Sequence, residues 1–186
     1  MAVDVAAEVR ESLAAWAREA TTQGGAVRVL SPSLLHLTLA FLGERPSREI
    51  DLIADLALGC AQPAASLSLA GPVWLPPRRP RALAVEIADP TGALHDLQRS
   101  VAQALVAGAG HELEGRRFRP HLTVARRGSG PAGRGGSGDG SGVGGEGGGL
   151  PATPDHRFDA QALTLYRSRL SPAGASYEAL ASVALS

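Results

Sequence analysis

Two short stretches of this chain carry side chains suited to moving protons. The first reads HLTLA and begins at His36; the second reads HLTVA and begins at His121. Each sets a histidine two residues before a threonine, His36 with Thr38 and His121 with Thr123, in an otherwise apolar run. The chain holds five histidines and seven threonines. At that frequency a chance His-x-Thr is expected only about 0.2 times. Two copies, each followed by an apolar residue and alanine, therefore point to a shared purpose. A single histidine in an apolar strand is ordinarily structural, and it is the pairing that reverses this reading.

Side chains alternate across a β-strand, so His36 and Thr38 face one way while Leu37 and Leu39 face the other. The same holds for His121 and Thr123 against Leu122 and Val124. Each strand thus has one apolar face for a core and one face with an imidazole and a hydroxyl, about 6–7 Å apart along the strand. Two matching faces 85 positions apart predict two half-sites of one cleft, related by pseudo-two-fold symmetry. Imidazole titrates near neutrality, so one of a pair can accept a proton while the other donates one. Threonine hydroxyls donate hydrogen bonds to an oxyanion without adding charge. The four groups suit displacement at phosphorus without a metal or other cofactor. Two histidines with no cysteine or acidic cluster beside them do not make a standard zinc site.

Positive charge for a phosphate has to be local, because 18 basic residues balance 18 acidic ones. That balance gives no global field favouring nucleic acid or membrane. Every basic residue is arginine, a planar fork suited to bidentate phosphate contact. Arg126 is the best placed, at the end of the second motif strand, although five residues after His121 is an odd offset that nominally turns it to the other face. Arg119 and the loop arginines Arg78, Arg79 and Arg81 are further candidates.

The elements that must position these groups follow from periodicity. Strands are expected at 3–5, 26–30, 34–42, 66–74, 82–87, 120–126, 162–166 and 177–185. Helices are expected at 6–20, from Ser47 as N-cap, and from Asp89 onward with Leu94, Leu97, Val101 and Leu105 on one face. The order β-α-β-β-α-β-β-α-β-loop-β-β favours α+β with antiparallel or mixed sheets. Residues 128–149 hold 13 glycines in 22 positions, and such a segment reads as a flexible loop within the domain. One cysteine, Cys60, excludes an intrachain disulfide. No basic and apolar leader opens the chain, and no window approaches 18 apolar residues, so a soluble cytoplasmic protein is expected.

With these motifs in place, the chain resembles the 2H phosphoesterase superfamily, in particular the RNA 2′,3′-cyclic phosphodiesterases, often called 2′-5′ RNA ligases. The likeness is carried by HLTLAFLG at 36–43, PPRRPRAL at 76–83, FRPHLTVAR at 118–126 and LTLYRSRLSPAGASYEAL at 163–180. It implies a single two-lobed α+β domain over 1–186, with two antiparallel sheets flanking a central cleft and helices outside. It implies hydrolysis of RNA 2′,3′-cyclic phosphate ends to 2′-phosphomonoesters; a monomer with no cofactor is expected. His36 would be the proton donor to the departing 3′ oxygen and His121 the base that activates water. Thr38 and Thr123 would bind the phosphate, helped by Arg126. Related activities on other 2′,5′-linked or cyclic nucleotide substrates, RNA ligation, and non-catalytic binding of RNA ends are the alternatives. The chain departs from the family in its short opening strand and in the glycine tract; neither touches the motif residues.

Overall fold

The structure is a computed structural model that describes residues 1–22, 27–112, 115, 117–127, 149–171 and 174–185. Among the described residues it has nine strands and three α-helices. The strands are β1 (Ala2–Asp4), β2 (Val27–Val29), β3 (Leu37–Thr38), β4 (Leu67–Leu75), β5 (Ala82–Ala88), β6 (His121–Arg127), β7 (Arg157–Phe158), β8 (Ala162–Ser171) and β9 (Gly174–Ala184). The helices are α1 (Ala7–Ala20), α2 (Ile50–Leu58) and α3 (Ala93–Ala109).

The pairs these strands make are antiparallel. The order across the sheet is β7-β4-β5-β6-β3-β1-β8-β9, and β2 also pairs with β6. This is the expected α+β arrangement, with one feature that periodicity does not reveal. The two groups of strands, each holding one His-Thr motif, are hydrogen-bonded to each other through β3 and β6. The two motif strands are therefore direct neighbours at the centre of the sheet.

The core forms where the helices cover one face of that sheet. Val9, Leu13, Trp16 and Ala17 of α1 are buried, as are Leu94, Leu97, Val101 and Leu105 of α3. The spacing expected for the third helix is thus the one that packs. Gly108 allows α3 to approach α2 closely: a Cβ there would lie 2.5 Å from Leu56 Cδ1. From the sheet come Leu37, Leu83, Val85, Leu122 and Val124, each fully buried. Burying a leucine of this kind stabilises the fold by roughly 1.5–3 kcal/mol, and here it also holds the opposite face of the same strand rigid.

Several boundaries differ from periodicity. The strand expected at 34–42 is only Leu37–Thr38. Before it, Pro32–Leu34 form a 3₁₀ turn, since proline suits the first turn of a helix and not a ladder. After it, the amides of Leu39 and Ala40 both turn to the Met1 carbonyl, at 3.0 and 3.3 Å. Ser47 does not cap a helix: it begins a 3₁₀ turn whose preceding residue, Pro46, makes no side-chain cap. The last two strands are longer than expected and form one continuous hairpin. Among the described residues no helix is long and apolar enough to cross a membrane. The loop expected at 128–149 lies outside the described residues except for Gly149.

Candidate active site

The site is built by strand register. Leu37 pairs with Leu122 across β3 and β6. In an antiparallel pair the next residues along must then face each other, so His36 lies beside Thr123 and Thr38 beside His121. The register carries this outward on both sides. Glu86 of β5 pairs with His121, and Ala84 pairs with Thr123. Ala2 of β1 pairs with Thr38, which sets Asp4 opposite His36. Two rows of side chains therefore cross four strands on one face. One runs Glu86, His121, Thr38, Ala2, and the other runs Ala84, Thr123, His36, Asp4. Each row holds a carboxylate, a histidine and a threonine, in opposite senses, which is the pseudo-two-fold relation expected of two half-sites. The alanines that end the rows, Ala2 and Ala84, are both buried.

His121 is held in a defined tautomer. Its Nδ1 lies 2.7 Å from the Arg119 carbonyl oxygen. A carbonyl only accepts, so Nδ1 carries the proton and donates it. In the neutral ring the lone pair then belongs to Nε2, the nitrogen left for substrate. Arg119 is itself anchored by an ion pair to Glu86, the residue opposite His121.

His36 is more enclosed. Burial lowers the pKa of its ring below the ordinary imidazole value. The negative charge of Asp4 and the Leu34 carbonyl oppose that shift, while the Met1 amino group and Arg126 add to it. The Tyr166 ring stacks on His36 with centroids 5.5 Å apart at 28°, and Tyr177 meets it edge-on at 4.5 Å. The Tyr166 hydroxyl donates to Asp4 Oδ1 at 2.7 Å, and the Thr164 hydroxyl donates to Asp4 Oδ2 at 2.7 Å. Ser182 extends this chain through a 2.8 Å bond to Thr164. Burial, together with the bond to Asp4, raises the Tyr166 pKa to about 12, so its proton stays in place as a donor at any working pH.

The odd offset of Arg126 has a local solution. The pairing of β5 with β6 shifts register between Leu83/Ala125 and Ala84/Thr123, so Val124 is the extra residue of a β-bulge. Val124 and Ala125 are consecutively buried, and alternation resumes one residue late. Arg126 therefore returns to the face of His121 and Thr123, where its charge reaches His36. Arg81 lies just before β5, its amide donating to the Leu75 carbonyl and its carbonyl accepting from the Arg127 amide.

The fold thus brings together all five residues singled out from the motifs. It adds Asp4, Glu86, Tyr166 and Tyr177, which motif reasoning missed. A signal existed for the first two: each is a lone carboxylate in an apolar strand, AVDVA and ALAVEIA. His95 bonds Asp89 at 2.7 Å and meets Phe118 edge-on. It lies outside the paired rows. Among the described residues no three His, Cys, Asp or Glu side chains cluster to hold a metal ion.

Comparison with known proteins agrees with this geometry. Residues 8–133 match the family model described as 2′-5′ RNA ligase superfamily. The RNA 2′,3′-cyclic phosphodiesterase of Escherichia coli (strain K12) is 34% identical over 133 residues, covering 67% of this chain and 69% of that protein. The RNA 2′,3′-cyclic phosphodiesterase of Geobacillus stearothermophilus is 28% identical over 134 residues, 71% of this chain and 42% of that longer protein. Among solved structures, E. coli LigT complexed with 3′-AMP superposes with a TM-score of 0.75 at 27% identity, over 99% of this chain and 95% of that one. The TT0787 protein of Thermus thermophilus gives 0.72 at 26% identity with the same coverage. The chain belongs to the 2′-5′ RNA ligase superfamily.

Proposed function

We propose that this protein hydrolyses RNA 2′,3′-cyclic phosphate ends to 2′-phosphomonoesters, using His121 as base and His36 as acid. A water attacks phosphorus and gives a proton to His121 Nε2. The bond from phosphorus to the 3′ oxygen breaks, and that oxygen takes a proton from His36. Thr38, Thr123 and Arg126 hold the non-bridging oxygens as charge builds on them. The observation that carries this reading is the Leu37–Leu122 pairing, which sets two imidazoles diagonally across one small face with a hydroxyl beside each. Binding alone requires hydroxyls and arginines, not two imidazoles on opposite corners. The hydrogen bond at His121 Nδ1 leaves Nε2 to face substrate, as the base role requires. The activity named for the E. coli and Geobacillus relatives supports the substrate. The reading takes the protein as a monomer acting in the cytoplasm.

The test is incubation with RNA ending in a 2′,3′-cyclic phosphate, with and without chelator. The expected product carries a 2′-phosphate in equal yield in both, and His36→Ala and His121→Ala each lose about 10²–10⁴-fold. A 3′-phosphate product, or turnover that survives both substitutions, would overturn it.

A further inference from the structure

The two rows of the active site are followed by a third on the same face. Arg126 pairs with Ala82 on one side and with Arg28 of β2 on the other. Val27 and Val29 pack against the core, so Arg28 between them faces the other way, with His36, Thr123 and Arg126. Both arginines are exposed. Allowing for the bulge, two regular strand steps separate the Arg126 row from the Thr123 row, about 7 Å. That is comparable with the spacing of neighbouring phosphates along a nucleic-acid strand.

The head of Arg28 is also placed by its surroundings. Gly174, at the start of β9, has φ +123°, and a Cβ there would lie 2.3 Å from Arg28 Nη1 and 2.4 Å from Nη2. The guanidinium therefore occupies the space that a side chain at 174 would fill. It lies between the β8–β9 hairpin, which carries Tyr166 and Tyr177 beside His36, and the Arg126 row. Two arginines of that hairpin, Arg167 and Arg169, both pair with Glu178.

We propose that Arg28, beside Arg126, binds a second phosphate of the substrate, the one on the 5′ side of the terminal nucleoside. This rests on the cyclic phosphate lying between the two histidines. It makes Arg28 the residue by which the enzyme distinguishes an RNA end from a bare cyclic mononucleotide. A guanidinium fork meets a phosphodiester through two parallel charge-assisted hydrogen bonds, which a cyclic nucleoside phosphate with a free 5′ hydroxyl cannot supply.

Three substrates separate the possibilities: adenosine 2′,3′-cyclic phosphate, the same compound bearing a 5′-phosphate, and the ApA dinucleotide ending in the cyclic phosphate. The expected result is that R28Q lowers kcat/KM about tenfold or more on the second and third, and less than threefold on the first. R28K should recover part of the loss, keeping the charge without the fork. R99Q, on the outer surface of α3, controls for a change in overall charge. Equal losses on all three substrates, or none on any, would overturn the proposal. So would a loss confined to the dinucleotide, which would indicate a base contact. If the wild-type protein hydrolyses none of them, the catalytic reading fails by itself. Calorimetry with the first two compounds then decides the arginine: R28Q must erase the affinity gained from the 5′-phosphate, and a retained gain would sink the assignment.

Discussion

Asp4 and Tyr166 are joined by a 2.7 Å hydrogen bond from the phenol to Oδ1, and His36 is flanked by both. The tyrosine stacks on the imidazole, and the aspartate stands opposite it across the strand pair. Asp4 uses its other oxygen to accept from Thr164, so the carboxylate is fixed at both ends. Its charge favours the protonated ring against the burial that disfavours it. The acid role proposed for His36 requires the ring to hold its proton until the leaving oxygen takes it, and the Asp4 charge acts in that direction.

Asp4→Asn tests this through the pH profile. With His36 as the proposed acid, activity requires its ring protonated, so its ionisation would set the alkaline limb of kcat/KM. That limb should lie below the value of an unperturbed imidazole, about 6.5, because burial lowers the His36 pKa. Removing the Asp4 charge removes a contribution that raises the pKa, so the limb should move further toward acid while the other limb stays. NMR titration of the His36 ring gives the same shift independently of turnover. A limb that does not move, or moves toward alkali, contradicts the assignment.

Tyr166→Phe isolates the hydroxyl from the ring. Stacking on His36 survives, but Asp4 Oδ1 loses its donor. A hydrogen bond to a charged group contributes about 1.5–3 kcal/mol, and only part of that should reach the reaction. A fall of several-fold in kcat with little change in KM is expected, and Tyr166→Ala should cost more because the wall beside His36 goes as well. Steady-state kinetics on the cyclic mononucleotide distinguishes the two. Equal losses would mean that the hydroxyl alone matters.

How much of this is readable from the sequence depends on the range of the interaction. His36, Thr38, His121 and Thr123 are legible because a period of two is local, and their duplication stands out against five histidines. The helix faces of α1 and α3 are legible for the same reason, at a period near 3.6. Nothing in either HLT segment says that the other will be its hydrogen-bonded neighbour; that follows from sheet order. Asp4 and Tyr166 lie 162 positions apart, and no spacing rule connects them. The facing of Arg126 depends on one extra residue at Val124 in the ladder, which alternation misreads as a turn to the far side. Strand β7 has only two residues, too few to show any period.

Leu37→Ala and Leu122→Ala probe the support under the site. Both side chains are fully buried, and the two residues face each other in the ladder. Each truncation should cost about 2–5 kcal/mol of stability. Because the residues are neighbours, the double variant should depart from the sum of the single losses. Urea unfolding followed by circular dichroism measures all three. Losses under about 1 kcal/mol would be those of an exposed or readily collapsing position, contrary to the packing described here.

Thr38→Val and Thr123→Val remove only a hydroxyl from each row. Valine keeps the shape and the strand preference of threonine, so the fold should be retained. If the hydroxyls donate to phosphoryl oxygens mainly as charge develops, kcat should fall on the order of 10²-fold while KM changes little. A rise in KM with kcat unchanged would instead mean equal contact with substrate and transition state. The pseudo-two-fold relation adds a further expectation: the two variants should behave alike, since each hydroxyl sits beside the histidine of the opposite motif. A large loss in one and none in the other would show that the phosphate leans on a single row, and the symmetric picture would have to be given up.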